Sequence, residues 1–379
     1  MSLLEQLETP HAVVDVGRVR ENVRVVQEYC AMHGLGLRPH AKTHKDEQVG
    51  RWQVEAGALG LTVATAREAE VMARVAPRLL VAYPPIDPGR IERLMKLPRE
   101  VELTIALDSR ESLERLAEAA KRHERPVGVL VELDLGSRRT GVDQPPRLVE
   151  LAHHTLDLGL SFAGIMLHPG HLRRPAIDPA ERGPESRPNR MLEGRLQGLR
   201  QTLGGFLAAL DKARLAYPVV SGGNSPTLFQ SHLLPELTEI RPGTYVYADR
   251  DLASQGILPW SCCAYSVLAT VVSTAVSGQA VIDAGTKALG REPIEGLGGY
   301  GALLDDPEIR VTRLSEEHGT LDLNETNRRF SVGERVRIVP NHVCVSAQLQ
   351  ERIAFVDGEE LQVRAAAARD RSAFVPEST

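Results

Sequence analysis

The chain has 379 residues, 42% hydrophobic and 25% charged, enough to bury a substantial core and longer than one domain usually runs. A formal net charge of −5 with only 4% aromatic residues leaves no electrostatic footprint for nucleic acid. No apolar run reaches the ~18 residues of a membrane span, and the acidic start MSLLEQLETPH lacks the order of a signal peptide, so a cytoplasmic protein with no membrane partner is expected.

From Pro10 to about Arg250, short β-branched runs alternate with helical stretches such as SRESLERLAEAAKRH, the pattern of βα units on a parallel sheet. Eight strands are predicted, in GLGLRPH, LGLTVA, RLLVAY, VELTIAL, PVGVLVELD, LSFAGIMLH, AYPVVSGG and TEIRPGTYVY, with HAVVD as an extra element outside them. Eight units in ~240 residues match an α/β fold of the (β/α)8 TIM-barrel type, with an open doubly wound sheet as the alternative. Residues 171–190, rich in Pro and Arg, are expected to form a long loop over the barrel mouth. After Leu252 the texture turns to β-rich stretches, AYSVLATVVSTAVSGQAVIDAG and RVRIVPNHVCVSAQLQ, which predict a second, mostly antiparallel β domain. The expected boundaries are 9–250 and 251–379, with the last dozen residues disordered.

In a barrel of this kind the chemistry sits at the C-terminal strand ends. The first strand runs into LRPHAKTHK, where Arg38, His40, His44 and Lys45 crowd Lys42. Such a nonamer is commonly a solvated loop; the chemical alternative is that cationic neighbours and partial burial lower a lysine's pKa and make it a nucleophile or base. The fifth strand ends in ELDLGSRRTG, the sixth in LHPGH, the seventh in SGGNSPT and the eighth in RPGTYVYAD. SGGN, followed by a predicted helix, offers a hydroxyl and backbone N–H groups suited to a phosphate, although a Gly-Gly turn alone is weak evidence. A lysine after strand one with a phosphate site after strand seven suits pyridoxal 5′-phosphate (PLP).

In the second domain, PNHVC places His342 and Cys344 two residues apart, which on a strand would aim both at one Zn2+. DAGTKAL and SEEHG read as ordinary polar turns. The four cysteines form no CxxC pair and are expected to be reduced.

Together these motifs resemble the D-threonine aldolase and D-serine dehydratase family, with the fold-type III architecture of alanine racemase: an N-terminal PLP-binding barrel and a C-terminal β domain. RPHAKTHK resembles its PLP-lysine segment, ELDLGSRRTGV its Asp-x-Gly-x-x-Arg-x-Gly segment, SGGNSPT its phosphate loop and RPGTYVYAD its tyrosine segment. DAGTKAL, SEEHG and PNHVC resemble its C-terminal motifs, and seven motifs in one order are specific. The resemblance implies that Lys42 is the Schiff-base lysine, that Arg139 meets the PLP ring oxygen, and that Ser221, Gly222, Gly223 and Tyr245 serve the phosphate. It implies that His342 and Cys344 bind a divalent metal, Zn2+ with Mn2+ or Mg2+ as alternatives. Cysteine at position 344 favours the dehydratases, whereas His171 stands where the aldolases keep a catalytic histidine.

Three reactions follow as expectations. The first is D-serine dehydratase-type elimination from a 3-hydroxy D-amino acid, giving a 2-oxo acid and ammonia. The second is aldolase-type cleavage to glycine and an aldehyde with His171 as base. The remote third is an amino-acid racemase or a non-catalytic PLP carrier. Arg173 and Arg174 could read a second substrate carboxylate. The resemblance also implies a homodimer.

Overall fold

The computed structural model describes residues 3–173, 190–294 and 296–369. Arg174, most of the 171–190 stretch and the end of the tail lie outside the described residues. The chain divides into two compact units that do not follow the 9–250 and 251–379 boundaries. One gathers residues 26–173, 190–243 and 367–369; the other gathers 3–25 and 244–366.

The first strand, β1 (His11–Asp15), pairs antiparallel with β10 (Tyr265–Ser273) and parallel with β16 (Arg352–Asp357), so HAVVD does lie outside the barrel. Barrel strands are β2 (Gly36–Leu37), β3 (Leu61–Val63), β4 (Arg78–Val81), β5 (Glu102–Leu107), β6 (Gly128–Leu133), β7 (Ser161–Leu167), β8 (Val219–Gly222) and β9 (Glu239–Ile240). All are parallel, in the order β2-β9-β8-β7-β6-β5-β4-β3. The two ends of that order meet through a parallel bridge between His40 and Thr62, with Thr62 N donating to Pro39 O at 2.8 Å. The strands are covered on both faces, hence runs such as GVLVEL buried almost without alternation. Leu80, Ala106, Leu130 and Met166, from four adjacent strands, form one core cluster.

The covering helices are written in familiar signals. Helix Arg110–Arg122 starts where the Ser109 hydroxyl accepts Ser112 N–H, buries Leu113, Leu116, Ala117 and Ala120 at helical spacing, and carries Lys121 and Arg122 in its last turn. Thr65, Asp46 and Asp87 cap three other helices in the same way.

The second unit is a mixed sheet in which β10 pairs with β1, β11 (Gln279–Ile282) and β15 (Arg335–Pro340), and β12 (Gly301–Leu303) pairs with β15. Asp283 of DAGTKAL is structural: its carboxylate accepts from Thr9 Oγ1 at 2.6 Å and Thr270 N at 2.7 Å, tying the N-terminal strand entry to β10. No helix among the described residues is long and apolar enough to cross a membrane. All four cysteines are free thiols.

Candidate active site

Lys42 sits in the turn that leaves β2, exposed in a segment whose next four residues are buried. The charge crowding read from the sequence is largely cancelled. Arg38 is ion-paired with Glu239 at 2.9 Å and Lys45 with Glu68 at 3.1 Å, all four side chains being buried. Burial, helped by nearby Lys42, Arg241 and His168, holds His40 well below its usual pKa. Burial likewise brings His44 down to about 4, so both imidazoles are neutral at physiological pH. The cations around Lys42 therefore build the turn instead of piling up positive charge; His40 Nδ1, for one, accepts the Lys42 backbone N–H at 3.3 Å.

Below the turn runs a buried polar belt. Ser221 and Glu239 are register partners on β8 and β9. The Ser221 hydroxyl donates to Glu239 Oε1 at 2.5 Å and accepts from Arg241 Nη1 at 2.5 Å, while Arg241 Nη2 reaches Leu167 O at 2.9 Å. This corrects the expectation for Ser221, whose hydroxyl is committed inside the barrel. What SGGN does offer is backbone: among the described residues no acceptor meets the N–H groups of Gly223, Asn224 or Ser225. Gly223 has φ +78°, which favours glycine, and Asn224 Oδ1 holds the turn by accepting from Thr227 N at 2.9 Å. The helix expected after SGGN is a short 3-10 turn, Leu228–Leu233.

Arg139 lies on the loop after β6, half-exposed, 3.7 Å from the buried Glu132 carboxylate. Asp134 Oδ1 shapes that loop by accepting from Gly136 N at 2.8 Å and Arg138 N at 3.0 Å. Gly141, at φ +111°, is required: a Cβ there would lie 2.4 Å from Asp134 N. On the neighbouring loop after β7, the His171 ring packs on Gly136, where an added Cβ would meet it at 3.1 Å. His168, three residues earlier, is driven to a pKa of about 3 by burial and by Arg139, Arg241, Lys42 and His171 around it. One mouth of the barrel unit thus gathers Lys42, Arg139, His168, His171, His40 and Arg241.

In the other unit, His342 and Cys344 are not on a strand as expected. β15 ends at Pro340, and His342 is the N-cap of helix Val343–Leu349, with Cys344 in its first turn. The reason is Asp249, a fully buried carboxylate ninety residues away in sequence. Its Oδ1 caps helix Arg250–Ser254 by accepting Leu252 N at 3.0 Å. Its Oδ2 accepts from Val343 N at 3.1 Å and His342 Nδ1 at 3.2 Å. With Nδ1 so engaged, His342 keeps Nε2 for another partner. Burial opposes charge on this ring, but its bonds to Asp249 and Cys344 outweigh that and raise its pKa to about 11. Cys344 Sγ lies 3.7 Å from Thr244 Oγ1. Two soft donors with a carboxylate behind the histidine fit a zinc-like ion, although no group of three or more His, Cys, Asp or Glu suited to a metal occurs among the described residues. Tyr245 is fully buried in the Thr244–Val246 turn, past the end of β9, and belongs to this unit, not to the barrel.

Sequence reasoning missed His168, Arg241 and Asp249. The first two stand inside quoted motifs, LHPGH and RPG, so their proximity to Lys42 follows once those loops share a mouth. Asp249 carried no local metal signal.

A parallel barrel with a lysine at its mouth, accompanied by a β unit bearing a His-x-Cys pair, defines an alanine racemase-like enzyme. Residues 14–251 match the family model for the alanine racemase N-terminal domain, and 264–356 match that for a serine dehydratase domain. D-threo-3-hydroxyaspartate dehydratase of Delftia sp. (strain HT23) is 32% identical, covering 90% of this chain and 92% of that one. D-threonine aldolase of an Arthrobacter species is 26% identical, covering 93% and 90%. Among solved structures, a cysteine-to-alanine variant of the Delftia dehydratase in the metal-free form superposes with a TM-score of 0.84 at 30% identity, covering 97% and 99% of the two chains. A histidine-to-alanine variant of that enzyme, altered two positions earlier, has also been solved. The chain belongs to this family, and it is a PLP-dependent lyase acting on D-amino acids.

Proposed function

We propose that this lyase is a dehydratase: it eliminates water from a 3-hydroxy D-amino acid, D-serine being the simplest, and releases a 2-oxo acid and ammonia with the help of Zn2+. The observation that carries the reading is the His342–Cys344 pair with Asp249 Oδ2 3.2 Å from His342 Nδ1. A soft imidazole–thiolate pair favours Zn2+ over Mn2+ or Mg2+. The Delftia dehydratase, whose cysteine-to-alanine variant is described as metal-free, supports a metal role for Cys344.

PLP fits the barrel unit. Lys42 would hold its aldehyde, Arg139 would face its ring oxygen, and the N–H groups of Gly223, Asn224 and Ser225 would meet its phosphate. Ser221 would serve the phosphate only by supporting the turn, since its side chain is buried and committed. When bound, PLP supplies an electron sink for the pair left at Cα. Zn2+ supplies Lewis acidity toward a hydroxyl leaving group. Lys42 moves the Cα proton, and its exposure at the strand end leaves its amine free to swing between carbon and solvent. His40 and His168, held neutral, do not protonate the departing base. Arg139, beside Glu132, orients what binds at the mouth.

A second reading, cleavage to glycine and an aldehyde, rests on His171, exposed at the same mouth against Gly136 and so able to take a hydroxyl proton. A functional homodimer in the cytoplasm completes the proposal. The test is ammonia release from D-serine by protein stripped with a chelator and then reloaded: Zn2+ restores activity if the proposal holds. Undiminished activity in stripped protein with no detectable metal contradicts it.

A further inference from the structure

A pocket in the β unit is lined by Arg250, whose guanidinium bonds to Asn341, the residue before His342. It encloses about 230 Å3 and is lined by Arg250, Arg310, Glu308 and Trp260, with Ala253, Ser254, Leu297 and Pro307 completing its wall. Its floor is charged, and among the described residues no carboxylate forms an ion pair with it. Arg250 is buried, only 5% exposed, and its Nη1 donates to two neutral oxygens, Gly298 O at 2.8 Å and Asn341 Oδ1 at 3.0 Å. Arg310 Nη1 stands beside that same glycine, 3.4 Å from where a Cβ of residue 298 would be. Neither guanidinium forms an ion pair with a described carboxylate. A buried cation without a described carboxylate partner is costly, and a second cation beside it adds repulsion, so an anion entering the pocket would stabilise the arrangement.

Burial and the charge of Arg310 already lower the Arg250 pKa to about 10, with Glu308 acting in the opposite direction. Glu308 therefore lies close enough to be felt, yet forms no ion pair with either guanidinium, and Arg250 keeps Nε and Nη2 without an acceptor among the described residues. Two forks match the planar geometry of a carboxylate. A carboxylate on the same wall matches an ammonium group, and the indole of Trp260, fixed by its N–H donating to Leu304 O at 2.8 Å, covers the apolar part of a small ligand.

We propose that this pocket is a binding site for a small α-amino acid, held as a zwitterion, separate from the barrel mouth. Arg250 and Arg310 take its carboxylate and Glu308 its ammonium group. The site is placed to report occupancy to the metal pair, because Arg250 follows Asp249, which orients His342, and bonds to Asn341, which precedes it. It does not depend on which reaction the enzyme performs.

The probe is N,N-dimethylglycine, a zwitterion whose tertiary amine cannot condense with PLP, titrated calorimetrically into the holoenzyme. Saturable binding at one site per chain is expected, unchanged in Lys42→Ala and weakened about tenfold or more in Arg310→Ala. Glu308→Gln should remove the preference for dimethylglycine over acetate while leaving acetate binding intact. Absence of saturable binding, or equal binding by wild type and Arg310→Ala, overturns the site. Stronger binding of inorganic phosphate than of dimethylglycine, or no effect of Glu308→Gln on selectivity, overturns the assignment of an amino acid.

Discussion

The surroundings of Lys42 and those of the His342–Cys344 pair are built on opposite plans. Around Lys42 nearly every neighbour is committed: Arg38 to Glu239, Lys45 to Glu68, Ser221 to both Glu239 and Arg241, and two histidines held neutral. The lysine is exposed on a rigid frame whose closest charged neighbours are already paired. Around His342 the frame is one buried carboxylate, Asp249, shared between the imidazole and the starts of two helices. The first plan serves any PLP enzyme of this barrel; on the proposed reading the second narrows the chemistry, because a soft metal pair would be superfluous for proton exchange at Cα.

That contrast can be broken at either end. Lys42→Ala should cost the most, lowering turnover by about 10³-fold or more while circular dichroism stays unchanged, since the exposed side chain supports no packing. Bound metal, measured by elemental analysis, should be unaffected. Cys344→Ala should do the reverse: metal content falls below half-occupancy, the visible absorbance of bound PLP persists, and turnover drops by about 10²-fold, equivalent to a few kcal/mol of leaving-group stabilisation. If Cys344→Ala loses PLP along with metal, the two regions are not separable.

Asp249→Asn sharpens the comparison. The amide keeps one acceptor oxygen, enough for Leu252 N–H, but sets an NH2 group against Val343 N–H and His342 Nδ1 and removes the charge behind the imidazole, so metal affinity in a chelator competition should fall about 10- to 100-fold. Restoration by excess Zn2+ would mark a positioning role, whereas failure to restore would mark a folding defect.

The smallest expected effect is on stability. His44 is about 4 in the folded state against 6.5 unfolded, and burial takes His168 to about 3. Depressed folded values mean that the unfolded chain binds these protons first, so this stabilisation is complete above pH 6.5 and declines as pH falls toward 4. The melting temperature should be lower at pH 5 than at pH 7.5 by roughly 5 °C. In His44→Gln that difference should shrink; an unchanged profile would remove His44 from the frame.

The barrel was largely legible because its central strands are long apolar runs, ELTIAL, GVLVEL and SFAGIML, separated by helices with explicit caps. Legibility faded where structure depends on distant partners. β9 has only two residues, its pairing set by β2 and β8, so TEIRPGTYVY looked longer than the strand it holds. The unit boundary was hidden because β1 pairs with β16 across most of the chain. PNHVC begins on the last residue of a strand, and only the Asp249 carboxylate, capturing Val343 N–H, turns it into a helix start. The same distance effect misdirected the reading of LRPHAKTHK: its charges were visible, but Glu239 and Glu68, which cancel two of them, were not.

The direct test is product analysis on D-threonine, with PLP and Zn2+ supplied. Elimination at the His342–Cys344 metal gives 2-oxobutanoate and ammonia in equal amounts, which is the expected result. Glycine and acetaldehyde as the main products would contradict it and assign the reaction to His171-assisted cleavage.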